Sequence, residues 1–270
     1  MSRIIMATSA SPGAPRAVLL RLLPSILGVG VLCLSLASCS QEAAPGPDFN
    51  GLWRRPSFNF DPPYMTEIGD CDGREVIDGL KSPILKPWAA EVLMANMHAG
   101  DTGRPRANMN TACWPEGVPA VYSISEMQIL QLPDEITILY TDDQVVRHVY
   151  MNEAHPNPPA RSWYGHSVGH FEGNTLVVDT YGFHNRPEAM IDHYGTPVSD
   201  GLHVVERFQM LDDGNRLHVD FTVDDPNVFR KPWSMTMEFD AREGHLAEYR
   251  CGESNRHYFE LMPIAERPDF

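Results

Sequence analysis

The chain has 270 residues, of which 43% are hydrophobic and 21% are charged, with 23 Pro and 20 Gly. This composition is typical of a globular protein and excludes collagen and an intrinsically disordered chain. The formal net charge of −15 argues against nucleic acid and against an anionic membrane surface as binding partners.

Residues 1–38 have the pattern of a secretory signal. Three arginines and no acidic residue occur in residues 1–21, and an apolar stretch too short for a membrane span follows. The stretch ends in Leu36-Ala37-Ser38-Cys39, which resembles a bacterial lipobox. We therefore expect export, lipidation of Cys39 and, because Ser40 follows, an outer-membrane location facing the periplasm. Ordinary signal cleavage with an unmodified Cys39 is the alternative.

Removal of the signal leaves 232 residues with 18 basic and 36 acidic side chains, a formal charge of −18. Residues 39–48 are rich in Pro, Ala and Gly, as in a flexible tether between a lipid anchor and a folded domain. No second linker of this kind follows, so residues 49–270 are predicted to form a single domain.

The predicted elements begin with Gly51-Leu52-Trp53, a Gly-x-Trp like that of the first strand of lipocalin-like barrels. Residues 53–83 are Pro-rich and predicted to be irregular, and residues 86–98 are predicted to form one helix. Beyond residue 121, four hairpins are predicted: Gln128–Leu132 with Ile136–Tyr140, Tyr164–His170 with Leu176–Tyr181, His203–Met210 with Leu217–Val223, and Trp233–Phe239 with Leu246–Cys251. The pattern indicates an all-β antiparallel meander, closed into a calycin-like barrel or, alternatively, folded as a sandwich.

The segment Gly165–Thr180 resembles a family of exported bacterial proteins whose pattern there is roughly GHSIGRWEGDTLVVDTxGF. Further matches are Asp192–Pro197, Leu202–Phe208, Asp225-Pro226, Lys231-Pro232-Trp233, Arg147-x-x-Tyr150 with His155-Pro156, and Cys113-x-Pro115-x-Gly117-x-Pro119. The chain departs from the pattern at His170, Phe171, Asn174 and Val198. The resemblance implies export and marks polar positions of interest, but it implies no reaction.

Three cysteines, Cys71, Cys113 and Cys251, remain in the oxidising compartment after Cys39, which allows one disulfide. A zinc site is the alternative, although no pair of cysteines has the close spacing that such sites favour. Cys113 and Cys251 lie close to family motifs at opposite ends of the domain. We therefore predict a Cys113–Cys251 disulfide and a free Cys71.

Glu206 is the first catalytic candidate. Alternation along Leu202–Met210 places Glu206 in the middle of an apolar strand face, where burial would raise the pKa of an unpaired carboxyl towards neutrality. The alternative is a structural ion pair with Arg147 or Lys231.

His166 and His203 are the other catalytic candidates. His166 could act as a proton shuttle inside the barrel or be a turn histidine, and Asp179 could orient it or cap the turn at Tyr181. His203 and Arg207 share the second face of their strand, either as a clamp for an anion or carbonyl group or as a solvated face.

A metal site is not predicted, because His166 and His170 lie about 13 Å apart on an extended strand. His184, Asp192 and His193 are further potential ligands, but they do not change this expectation. The G-x-S-x-G of Gly165–Gly169 falls within a meander rather than at a strand-to-helix elbow, which argues against a serine hydrolase.

Together these features predict a lipid-anchored barrel that binds a small, mostly apolar organic molecule in its interior. Glu206, His166 and His203 would perform cofactor-free elimination, isomerisation or hydrolysis. The predicted ligand contacts are Arg147, Tyr150, Trp163, Tyr164, Asp179, Arg207, Phe208, Lys231 and Trp233, with Phe171 as a further wall residue. A non-catalytic carrier and a structural envelope protein are the alternatives. The sequence does not specify the oligomeric state.

Overall fold

The computed structural model describes residues 46–56, 84–98, 109–123, 126–142 and 145–254, all within one compact unit, Glu42–Phe270. The predicted signal, Cys39, most of the tether and Cys71 lie outside the described residues. Within these ranges, no helix combines the length and the apolar character that a membrane crossing requires.

The described residues form nine strands that close into a barrel in sequence order, with the last strand paired to the first. The predicted all-β closed barrel is therefore confirmed. The strands are β1 Gly51–Arg54, β2 Met127–Gln131, β3 Glu135–Tyr140, β4 Val146–Met151, β5 His166–Glu172, β6 Thr175–Tyr181, β7 His203–Leu211, β8 Arg216–Asp224 and β9 Trp233–Arg242.

In this described barrel, β4 and β5 are parallel, and the other eight neighbouring pairs are antiparallel. The predicted fully antiparallel meander is wrong at this pair. Strand directions cannot alternate around a ring with an odd number of strands, so one neighbouring pair must be parallel. After β4, the chain must therefore run back along the barrel through residues 152–165 before β5 begins.

Three of the four predicted hairpins are confirmed as β2–β3, β5–β6 and β7–β8. The fourth is wrong because Leu246–Arg250 has no regular secondary structure. One edge of β9 pairs with β8, and β1 occupies the other, with Trp53 opposite Ala241. The segment after β9 therefore has no free strand edge to extend the sheet.

The predicted helix is confirmed as α1, Pro87–His98. It begins at a proline, which suits this position because an N–H group there would have no hydrogen-bond partner within the helix. Its buried face consists of Ala89, Ala90 and Leu93, which pack into the core. Two single-turn helices, α2 at Met109–Ala112 and α3 at Cys251–Ser254, were not predicted.

The predicted disulfide is present between Cys113 and Cys251, whose Cα atoms lie 5.6 Å apart across 138 residues of sequence. It joins the segment that follows β9 to the segment that follows α2. This bond holds the end of the described chain close to residues 113–116.

The barrel interior contains a continuous apolar core. Period-two alternation directs every second side chain of each strand inwards, as in β8, where Leu217, Val219, Phe221 and Val223 are fully buried. Phe208 is fully buried in the same core, and Trp233 is 5% exposed and packs edge-on against Phe229. Phe208 and Trp233, predicted as walls of an interior ligand site, are therefore core residues.

Candidate functional site

Glu206 and Arg147 form a bidentate ion pair inside the barrel. Arg147 donates to both carboxylate oxygens, from Nη1 to Oε1 at 2.9 Å and from Nη2 to Oε2. The side chains of Glu206 and Arg147 are 0% and 2% exposed, respectively. Arg147 also donates to Ser167 Oγ at 3.0 Å and to Thr180 Oγ1 at 2.8 Å, so its guanidinium has partners on several strands.

Two tyrosine hydroxyl groups complete this buried network. Tyr122 donates to Glu206 Oε1 at 2.7 Å, and Tyr140 donates to the Tyr122 hydroxyl at 3.0 Å. Burial, followed by the charge of Glu206, raises the pKa of Tyr122 well above its ordinary value. Burial opposes the charge of Arg147, but the charges of Glu206 and the two tyrosines, with the hydrogen bond to Glu206, together outweigh burial and raise the pKa of Arg147 well above its ordinary value. These shifts keep the phenol neutral and the guanidinium charged.

This geometry is that of the structural ion pair considered from the sequence, with Arg147 rather than Lys231 as the partner. Lys231 is exposed. The prediction that Glu206 lies on the apolar face is confirmed. A carboxylate with both oxygens bonded to a buried guanidinium is poorly suited to exchange protons with a ligand.

His166 lies on the outer wall of the barrel. Its neighbours on β5, Ser167 and Gly169, are buried and face inwards, so alternation turns His166 outwards. The predicted position of His166 inside the barrel is therefore wrong. The error arises because the inward face of β5 carries Ser167 and Gly169, residue types that are more typical of a solvent-facing side of a strand.

Three histidines and one aspartate form a hydrogen-bonded chain on this outer wall. His166 Nδ1 lies 3.0 Å from His155 Nδ1, and His155 Nε2 lies 3.0 Å from Asp179 Oδ1. The second oxygen, Oδ2 of Asp179, lies 2.8 Å from His203 Nε2. Asp179 on β6 is therefore the common partner of His155 and His203 rather than a cap for the following turn.

The pKa values of His166, Asp179 and His203 in this hydrogen-bonded chain are shifted in different directions. Burial lowers the pKa of His166, and the neighbouring His155 lowers it further, against a smaller opposing effect of Glu153. Burial opposes the charge of Asp179, but hydrogen bonds and charges from His203 and His155 outweigh it, so its pKa is lowered. The hydrogen bond to Asp179 raises the pKa of His203. Near neutral pH, His166 is thus the uncharged end of the chain and Asp179 is an anion.

The return connection, residues 152–165, holds His155 in place. The ring of His155 packs against Tyr181 with centroids 4.2 Å apart, and the Tyr181 hydroxyl donates to the Pro156 carbonyl at 3.3 Å. Gly165 ends the connection at a φ of +68°, and a Cβ there would lie 2.9 Å from the Tyr181 carbonyl oxygen. The close approach of this connection to β6 therefore requires a glycine before His166.

An open groove of about 440 Å³ lies along the parallel β4–β5 pair. Its lining includes Tyr150, Trp163, Tyr164, His148 and His166. The ring of Tyr150 stacks beside His166 with centroids 5.1 Å apart, and Tyr164 stacks on the buried Tyr140 at 6.1 Å. The structure thus brings together four predicted site residues, Tyr150, Trp163, Tyr164 and His166, but outside the barrel.

The remaining predicted ligand contacts are dispersed. Arg207 is paired with the exposed Glu172 at 2.7 Å, so it forms no clamp with His203. Arg147 contributes to the groove lining, but its guanidinium is engaged by Glu206. Phe171 is partly buried and stacks on Phe49 with centroids 6.3 Å apart. Arg207, Lys231, Phe208 and Trp233 are not among the residues that line this groove.

The geometry also bears on a metal site and on Ser167 as a nucleophile. In the part of the chain that the structure describes, no group of three or more His, Cys, Asp or Glu residues is arranged to hold a metal ion. Asp192 is fully buried and accepts backbone N–H groups of Tyr194, Gly195 and Thr196, as in a structural turn. Ser167 is buried and bonded to Arg147 and Thr180, so it is not placed as a nucleophile.

Sequence reasoning did not assign roles to His148, His155 or Tyr181. His155 was visible only as part of a His-Pro motif, and nothing in its spacing from Asp179 indicates contact. His155 could have been identified from the long connection between β4 and β5, which is required because these two strands are parallel. Such a connection must cross the outer wall of the barrel and place its side chains there.

No protein-family model matches this sequence, and a search of curated proteins gives no match. The family resemblance of Gly165–Thr180 therefore stays a prediction, and the site must be interpreted from its geometry.

Proposed function

We propose that this protein is a cofactor-free acid–base enzyme that binds a small, neutral, mostly apolar molecule in the outer groove and uses His166 as its general base. The observation that carries this proposal is the hydrogen-bonded chain Asp179–His155–His166, which ends at the groove. Proton removal from carbon in an elimination or isomerisation, or from water in a hydrolysis, are the reactions that such a base performs.

The direction of each hydrogen bond in the chain defines the role of His166. The Asp179 carboxylate can only accept, so His155 donates from Nε2. We assign His155 the tautomer with its proton on Nε2, so that its Nδ1 accepts the Nδ1 proton of His166. His166 is left with an unprotonated Nε2, the nitrogen that can take a proton from a bound molecule. His203, on the other oxygen of Asp179, holds that carboxylate in position.

The groove has the properties of a small-molecule site. Its volume of about 440 Å³ is within the range of ligand pockets, about 300 to 1,000 Å³, and its walls include two tyrosines and a tryptophan. The one arginine of the lining, Arg147, is neutralised by Glu206, and the chain carries a strong net negative charge. These charges disfavour an anionic ligand, and the aromatic walls favour a flat, neutral one.

The proposed location is the periplasmic side of the outer membrane, with attachment through lipid on Cys39. The lipobox-like sequence before Cys39 and the serine after it support this proposal. A disulfide between Cys113 and Cys251 is consistent with an oxidising compartment. Membrane contact would be through the lipid alone, with the groove available to small molecules from the periplasm.

A base in an aromatic groove can be tested with 5-nitrobenzisoxazole, a flat and neutral carbon acid. His166 Nε2 would take the C3 proton, the C–H electron pair would form the nitrile, and the N–O bond would break to release a coloured phenolate. We expect turnover by the wild type and a loss of about 100-fold or more in the His166→Gln variant. His170→Gln is the matched control, because His170 lies on the same strand, is 51% exposed and does not line the groove.

Two outcomes would contradict the enzyme assignment. Equal turnover by the His166→Gln and His170→Gln variants would remove His166 as the base. Binding of the probe without turnover, weakened by Trp163→Ala, would instead identify a carrier that uses the same groove.

A further inference from the structure

A second histidine, His148, lines the same groove as Tyr150 and His166. His148 and Tyr150 are two residues apart on β4, and both face outwards. The ring centroids of His148 and Tyr150 are 6.4 Å apart, and those of Tyr150 and His166 are 5.1 Å apart, with interplanar angles of 19° and 21°. These distances limit the separation of the two imidazole centroids to about 11.5 Å. One small molecule lying along Tyr150 can therefore reach both imidazoles.

His148 has its own carboxylate partner. Glu135 on β3 lies 2.6 Å from His148 Nδ1 through Oε1, and Thr137 donates to the same oxygen at 2.7 Å. The hydrogen bond from His148 lowers the pKa of Glu135, so Glu135 remains a carboxylate and an acceptor at neutral pH. Because Nδ1–H is held by Glu135, Nε2 is the nitrogen through which His148 can exchange a proton with a ligand.

We propose that His148, oriented by Glu135, is the general acid that complements the base His166. The natural substrate would then be a neutral carbon acid whose displaced electron pair ends on an oxygen atom. This inference rests on the proposed function, and it adds a second catalytic residue and a substrate class to it. Glu135 is a positioning residue, since it acts through His148.

The proton balance of such a reaction is complete without a cofactor. His166 Nε2 takes a proton from a carbon next to a carbonyl group, and the C–H electron pair forms a carbon–carbon double bond. The carbonyl oxygen receives the displaced π pair and the Nε2 proton of the His148 imidazolium. Return of both protons, with the carbon proton delivered to a different position, completes an isomerisation. In an elimination, His148 instead protonates the departing oxygen.

The two histidines differ in the way that such a division of roles requires. His166 is backed by another imidazole and is the neutral member. The Nδ1 atom of His148 is held directly by the Glu135 carboxylate, which leaves Nε2 as the nitrogen that gives a proton to a ligand. A paired acid and base in different environments is the arrangement that supports concerted proton transfer.

A surface ion pair without catalytic function is the competing explanation, because the His148 side chain is 49% exposed and that of Glu135 is 31% exposed. Such pairs contribute little to stability. The chain offers a matched pair of this kind in His170 and Glu172, which lie 3.3 Å apart, are both 51% exposed and do not line the groove. His170→Gln therefore controls for loss of an exposed His–carboxylate pair.

The test compares 5-nitrobenzisoxazole with unsubstituted benzisoxazole, whose phenolate is a poorer leaving group and needs protonation more. We expect His148→Gln to lower kcat for the unsubstituted probe by about tenfold more than for the nitro probe. Glu135→Gln should show the same dependence on the leaving group to a smaller extent, and His170→Gln should show none. Melting temperatures should be unchanged in all three variants, since the substituted side chains are substantially exposed.

Each result has a defined meaning. If His166→Gln abolishes turnover while His148→Gln behaves like His170→Gln with both probes, His148 is not the acid, and the proposed function stands without it. If wild type and His166→Gln turn over both probes equally, or if wild type turns over neither, the base assignment and this inference are both wrong. Equal losses with both probes in His148→Gln would also overturn the general-acid role, because protonation of the leaving group would not be involved.

Discussion

Glu206→Gln is the substitution that separates the interior ion pair from the outer site. The variant keeps the side-chain volume but replaces a carboxylate that accepts two bonds from Arg147 and one from Tyr122. It leaves the guanidinium, 2% exposed, without a counter-charge. Removing one partner of a buried ion pair costs about 3 to 5 kcal/mol of unfolding free energy. For a chain of this size, the melting temperature should fall by about 6 to 20 °C.

The assay is thermal unfolding followed by circular dichroism, with urea unfolding as a second measurement of the free energy. Glu172→Gln is the matched control, because it breaks the exposed pair with Arg207, whose side chains are 39% and 51% exposed. Exposed pairs of this kind contribute little to stability, so the Glu172→Gln control should melt close to the wild type. The double variant Arg147→Met with Glu206→Gln should be more stable than Glu206→Gln alone, because it removes the uncompensated charge.

Two results would refute this reasoning. A change of about 1 kcal/mol in the unfolding free energy shifts the melting temperature by about 2 °C or more. A Glu206→Gln variant that melts within 2 °C of the Glu172→Gln control would therefore show that the buried pair contributes no net stability. A stable Glu206→Gln variant that loses all turnover of the nitro probe would return Glu206 to the catalytic role first predicted for it. We expect instead that Glu206→Gln, while folded at 25 °C, turns over the probe as the wild type does.

The remaining predictions concern the base, the disulfide and the anchor. The pKa of His166 is lowered from 6.5 by burial and then by His155, and the neutral form is the base. Turnover should therefore fall on acidification with a midpoint below pH 6.5, and a midpoint at or above 6.5 would contradict the site. The paired Cys113→Ala and Cys251→Ala substitutions, which open a loop of 138 residues, should reduce the unfolding free energy by about 5 kcal/mol in the chain-entropy model. Urea unfolding measures this, and an unchanged midpoint would contradict it. Cys39→Ala should move the protein from the membrane fraction to the soluble periplasm, and unchanged fractionation would reject lipidation.

The barrel itself was largely predictable, because strand formation is a local property. Strand-forming residues between turn signals identified β7 and β8. Alternation along residues 202–210 placed Glu206 on an apolar face, which faces inwards in the structure. Short turns, with Pro and Asp in one case and with Gly and Asn in two, likewise identified three hairpins. The fourth failed because strand pairing depends on which edges are free. The edge of β9 belongs to β1, which lies almost 190 residues earlier in the chain.

The functional site was harder to predict from the sequence, because it depends on contacts between residues that are far apart in the chain. Which face of β5 is the interior depends on what lies across the barrel. Ser167 is stable there because Arg147 and Thr180 bond to it, and this burial turns His166 outwards. The choice of Arg147 over Lys231 as the partner of Glu206 is likewise a matter of where distant strands meet.

The sequence by itself determined the strands and the alternation of their faces, since these depend on neighbouring residues. Tertiary structure decided the closure of a nine-strand ring among the described residues, and with it the parallel pair and the connection that carries His155 to Asp179. A ring with an odd number of strands cannot alternate throughout. The groove along β4 and β5 and the connection that carries His155 both depend on that one parallel contact.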